Sequence, residues 1–139
     1  MLVIRAAQMA AFAKLAWDDF LGTATETLLD AHAGHMDGMT PQARVGRVRW
    51  SLEQARARGL QDGDNLIEYA SCLLAYGPGF ADHPPIAQAL RAPGEADEHW
   101  SRLFPGMPGH VWRELDLLYA DEDWLAVDDP RAAGMRHAE

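Results

Sequence analysis

The chain has 139 residues, 48% of them hydrophobic and 24% charged, with a formal net charge of −9. That length supports one hydrophobic core, and that composition excludes both a disordered chain and a disulfide scaffold. The charge is uneven: residues 1–60 carry seven basic and six acidic side chains, residues 61–139 five basic and fifteen acidic, so the second half repels nucleic acid and favours basic protein partners.

The start, Met1-Leu2-Val3-Ile4-Arg5, is too short for the apolar region of a signal peptide and meets a charge at once. No stretch reaches the roughly 18 apolar residues of a membrane span. The expected location is the cytoplasm, with no membrane partner. Residues 6–30 read as a long helix, because Met9, Phe12, Ala13, Ala16, Phe20 and Ala24 recur at three- and four-residue steps with Lys14, Asp18 and Thr25 on the other side. Ala33 to Gly38 has two glycines and no period, and reads as a connection.

Thr40-Pro41 is a favourable helix start, the threonine accepting from an unpaired N–H and the proline pre-set at the first-turn φ. The stripe of this second helix is Val45, Val48, Leu52 and Ala55, and Gly59-Leu60 is a left-handed stop with a hydrophobic contact after it. Asp62 or Asp64 caps a third helix through Ala75. Its residues Leu66, Ile67, Tyr69, Ala70, Leu73, Leu74 and Tyr76 cover about half the circumference, which marks it as central. Gly77-Pro78-Gly79 ends it.

Shorter helices are expected over His83–Ala92, Glu95–Phe104 and His110–Ala120, the last with Val111, Leu115, Leu118 and Tyr119 on one face. Strand signals are confined to Leu2-Val3-Ile4 and residues 124–127. The expected fold is all-α, a single-domain irregular or orthogonal bundle of about five to six helices. It covers residues 1–127, and 128–139 form a flexible tail.

Chemistry finds little support. His32-Ala33-Gly34-His35 has metal-like spacing, but zinc needs at least three protein ligands and the other histidines are scattered. Glu95 and Glu98-His99 fail the repeated Glu-x-x-His pattern of di-iron bundles. His110 and Glu114, one helical turn apart, are placed to share a proton. Serines 51, 71 and 101 fall inside helices rather than in a nucleophile elbow, and the single cysteine, Cys72, lies in an apolar run as a buried structural thiol. The expectation is a protein that is not an enzyme and holds no cofactor or metal.

What remains are contact residues. Trp50 points away from its helix's apolar stripe, so either a second layer covers it or it anchors a partner. Arg49 and Arg56 flank that stripe and are placed to reach acids of the second half. Arg44, Arg47 and Arg58 form a separate outer face, solvated or open to an acidic partner. Asp121-Glu122-Asp123-Trp124 suits docking back onto the arginine-bearing helix or engaging a basic partner. The candidate protein-binding set is therefore Trp50, Arg44, Arg47, Asp121, Glu122, Asp123 and Trp124.

The opening Met1-Leu2-Val3-Ile4-Arg5-Ala6-Ala7-Gln8-Met9-Ala10-Ala11-Phe12 resembles the start Met-Ile-Val-Ile-Arg-x-x-Gln-Met-x-x-Phe of small bacterial proteins encoded beside type VI secretion spike, PAAR-tip and effector genes. Three later segments are similar to that family: the helix around Arg49 and Arg56 ending at Gly59-Leu60, the capped helix Asp62 to Tyr76, and Gly77-Pro78-Gly79-Phe80-Ala81-Asp82-His83-Pro84. The family pattern has Phe-Asp where this chain has Phe80-Ala81-Asp82, and residues 93–139 carry no match. The resemblance implies an accessory factor of effector delivery, a co-chaperone or loading factor whose partner is an effector, an adaptor chaperone or a spike protein. It implies no cofactor and no catalytic residue. The alternative is an immunity protein that occludes a toxin's active site, for which the acidic second half is suited if the toxin is basic.

Overall fold

The computed structural model describes residues 6–91 and 94–128, without the side chains of residues 6–13, 15, 104 and 126. The expected strand signal at residues 2–4, the first five positions of the family-like opening and the tail from 129 onward lie outside the described residues. So do the side chains of Met9, Phe12 and Ala13.

The fold is a single-domain all-α arrangement, and no described residue is in a strand. Helix α1 runs Ala6–Ala31. Its buried positions are Leu21, Ala24, Thr25 and Leu28, an i, i+3, i+4, i+7 set that makes one face. Contrary to the expected stripe, Thr25 is on that face, whereas Ala16 is exposed and Phe20 half-buried. The short alanine and threonine side chains fit against a close neighbour and the bulkier Phe20 sits at the margin. A single 3-10 turn, Ala33–Met36, follows and drops Met36 into the core.

Helix α2, Pro41–Ala57, starts where the sequence places it: Thr40 Oγ1 accepts from the backbone N–H of Ala43 at 3.1 Å. It stops at Gly59, whose φ of +92° is the left-handed turn that glycine adopts without a Cβ clash, and Leu60 is buried beyond it. Asp62 then caps α3, Gly63–Tyr76, by accepting from the N–H groups of Asp64 and Asn65. Together α2 and α3 make the largest interhelical contact, and α1 packs against both. Val48, Leu52 and Ala55 of α2 and Tyr69, Ala70, Leu73 and Leu74 of α3 are buried at the centre. Each fully buried aliphatic side chain there contributes about 2 kcal/mol of transfer free energy.

The second half is fastened by aromatic rings. A turn at Phe80–Asp82 leads to α4, Pro84–Leu90, then α5, Ala96–Gly106, and α6, Gly109–Leu118. Phe80 lies at the middle of a cluster: its ring centroid is 5.9 Å from Tyr69, 6.2 Å from Tyr76, 6.2 Å from Trp100 and 6.3 Å from Trp112. Edge-to-face and offset pairs of this kind add about 1 kcal/mol each beyond the area they bury. Asp97 joins α5 to the α2–α3 link, accepting from the backbone N–H groups of Gln61 and Asp62 and from Asn65 Nδ2. Burial alone raises the Asp97 carboxyl, but the bonds from Asn65, Gln61 and Asp62 outweigh it and hold the group below its ordinary value.

Residues 124–127, expected to be extended, are instead helical. Asp121–Trp124 forms a 3-10 turn and Leu125–Asp128 a last turn, α7. With no strand beside them to pair with, these residues satisfy their backbone groups locally by winding. Asp128, assigned from sequence to the tail, is the final residue of α7 and is bonded to α2.

Candidate docking surface

Three of the seven candidate contact residues, Trp50, Arg47 and Trp124, meet one another. Trp124 is completely buried, and Trp50 meets it edge to face at a centroid distance of 5.7 Å. Arg47, expected on an outer face, is buried as well. Its guanidinium lies 4.5 Å over the Trp124 ring and forks onto the Asp128 carboxylate, with Nε donating to Oδ1 at 3.3 Å and Nη2 donating to Oδ2. The reason is the last segment: the turn through Trp124 lays its indole across α2 between Arg47 and Trp50, and Asp128 follows one helical turn later to meet the cation. Of the two readings left open for the 121–124 tract, docking back onto the arginine-bearing helix describes Trp124. Asp121, Glu122 and Asp123 themselves face solvent.

The other arginines of α2 also part company. Arg44 is half-buried and its Nε donates to the Met39 carbonyl at 3.1 Å, whereas Arg58 is exposed and donates to Tyr69 Oη at 3.1 Å. Arg56 does not reach an acid of the second half; it stacks 4.4 Å over Trp17 of α1. Trp17 is itself stacked on Phe20, and these rings with Arg56, Leu60 and Leu66 line an open groove at the junction of α1, α2 and α3.

The chemistry-bearing pairs resolve differently from their sequence spacing. His32 and His35 stack with Nδ1 atoms 3.1 Å apart, as expected of side chains eclipsed at i and i+3 of a 3-10 turn, and His32 Nε2 pairs with Ser71 Oγ at 2.6 Å. Burial, and then the neighbouring His35, push His32 below its ordinary value of 6.5. Ser71 sits mid-helix in α3, where neighbouring backbone N–H groups are committed to helix bonds. Among the described residues no group of three or more His, Cys, Asp or Glu is arranged to hold a metal ion. Glu114 pairs with His83 of the α3–α4 link, at 3.2 Å, and not with His110. Burial raises the Cys72 thiol to about 12, which suits a structural cysteine.

The surface that stands out lies at the end of α6. Leu117 is 85% exposed, Leu118 66% and Leu125 40%. Leu118, expected to join Val111 and Leu115 on the inner face, emerges because α6 ends there and the chain turns away; only Val111 and Leu115 are buried. At 100° per residue Leu117 falls opposite Leu115, so the outward leucine is visible in the helical period once the inner face is known. Around these leucines, Glu114, Asp116, Asp121, Glu122 and Asp123 are all exposed, and the stretch 114–128 contains six acidic residues and no basic one.

No family model matches the chain, and no curated protein or solved structure matches it. Among the described residues no helix is long and apolar enough to cross a membrane. The exposed leucines lie in a stretch whose acidic residues repel an anionic bilayer surface, which attracts basic segments.

Proposed function

We propose that this chain is a non-catalytic protein-binding accessory factor, a co-chaperone or loading factor that engages an effector, its adaptor or a spike component of type VI secretion. The observation that carries the binding role is the exposure of Leu117, Leu118 and Leu125 on a segment that buries Val111, Leu115 and Trp124. The contact of Trp124 and Asp128 with Arg47 holds the end of that segment against α2, so the leucines are presented from a fixed base and little ordering entropy is lost on binding. The secretion context is supported by the family-like residues between positions 1 and 92, above all the opening Val3-Ile4-Arg5 with Gln8-Met9 and Phe12.

The acidity of residues 114–128 also favours a second reading, an immunity protein that blocks a basic toxin. Co-expression with each protein encoded beside it, followed by affinity purification and mass determination, tests the first. Capture of an adaptor, effector or spike protein supports the loading role, and failure to capture any of them counts against it. Survival of toxin-expressing cells in the absence of the secretion machinery distinguishes the immunity reading, because a loading factor gives no protection.

A further inference from the structure

The acid-ringed leucines specify their partner's chemistry. We infer that the surface around Leu117 and Leu118 takes a basic amphipathic segment of another protein, with apolar side chains on the leucines and Lys or Arg side chains against Glu114, Asp116, Asp121, Glu122 and Asp123. This rests on the protein-binding reading and adds the class of ligand to it.

Three observations narrow the occupant. The apolar part is small, about the footprint of two or three anchor side chains from a single helix or strand, not that of a folded domain. The rim is uniformly acidic: all five carboxylate residues from Glu114 to Asp123 are exposed, and the nearest basic residue in the chain, Arg113, precedes them. Of these carboxylates, Glu114 pairs with the His83 imidazole and Asp121 accepts from the Tyr119 hydroxyl, while Asp128 is taken by Arg47. A second copy of this chain is a poor occupant. A two-fold contact lays a patch on itself and would oppose carboxylate to carboxylate between molecules that each carry a net charge of −9. Nucleic acid and anionic lipid are repelled by the same field. A basic segment is attracted at long range and completes the rim at short range.

The test uses the intact protein and two fluorescent peptides: one of leucine and lysine at helical amphipathic spacing, and its twin with every lysine replaced by glutamate. Fluorescence anisotropy at about 0.05 M and about 0.3 M NaCl reads the electrostatic share, because the screening length falls about 2.4-fold over that range. The basic peptide is expected to bind, its glutamate twin to fail, and the added salt to weaken binding. Leu117→Ser with Leu118→Ser should weaken binding by roughly tenfold or more. Both leucines are exposed, so the thermal midpoint should be unchanged and lost binding cannot be ascribed to unfolding. Equal binding of the basic peptide to the wild type and the double variant overturns the assignment of the site. Leucine-dependent binding of the glutamate twin overturns the charge class and leaves the protein-binding reading standing. Binding of neither peptide overturns the inference; if co-expressed neighbours are also not captured, the reading beneath it falls too. Concentration-dependent dimerisation that the double variant abolishes assigns the surface to a second copy and overturns it as well.

Discussion

Arg47 shows how a charged side chain becomes part of a core. Its cation is covered on one side by the Trp124 ring and answered on the other by Asp128, so a nearly buried charge is compensated at the margin of the core. Arg47→Ala removes the ring contact, both bonds to Asp128 and the packing of the stem, and should cost about 3 kcal/mol. Urea unfolding followed by tryptophan fluorescence reads this, and a loss below about 1 kcal/mol would reduce the pair to a surface contact. His32 sets a pH dependence. Its folded-state value lies below the ordinary 6.5, chiefly through burial and then through His35. The unfolded chain therefore takes up a proton that the folded chain resists, so the stability from this group is complete above pH 6.5 and is lost as pH falls from there through the folded value. The urea midpoint should drop between about pH 7.5 and 5.5, and less so in His35→Ala, where the neighbouring charge is gone. A midpoint that falls as far in the variant as in the wild type would contradict the role given to His35.

At the level of elements, the two central helices were legible because their ends are written in local chemistry. Thr40-Pro41, Asp62 and the left-handed glycines act within a few residues of themselves, and the structure uses each as expected. Gly77, with φ +100°, ends α3 and lies against Tyr119, whose Cδ2 would be 3.4 Å from an added Cβ. Gly77→Ala therefore meets both a disfavoured backbone and a ring that must give way. It should cost about 1–2 kcal/mol by calorimetry or urea unfolding, and an unchanged midpoint would mean that the loop readily adopts another path. What was not legible depended on distant contacts. The period of α2 assigns Arg47 and Trp50 to outward positions, and only the returning segment 121–128 makes them inward. The period of α6 assigns Leu118 inward, and only the end of the helix turns it out. The ring cluster about Phe80 draws on three helices and a turn, so no window of sequence contains it.

For the whole molecule, the asymmetry of charge seen in the sequence becomes an asymmetry of surface. Three arginines of α2 are engaged within the molecule, by Trp124 and Asp128, by Trp17 and by the Met39 carbonyl, while most of the acids between residues 114 and 128 face solvent without such a contact to a cation. Of the candidate partner-binding residues, the acids 121–123 face solvent. Trp124 and Arg47 serve the fold, and the leucines that complete the surface come from a helix face read as inward or left unassigned. The central claim is that this protein works by presenting that surface to another protein. The most direct measurement co-expresses the wild type, the Leu117→Ser/Leu118→Ser variant and an Arg56→Ala control with the adaptor, effector and spike proteins encoded nearby, and quantifies the complex recovered. The account predicts recovery by the wild type and the control and its loss in the leucine variant at unchanged thermal stability. Equal recovery by all three would place the contact elsewhere and contradict it.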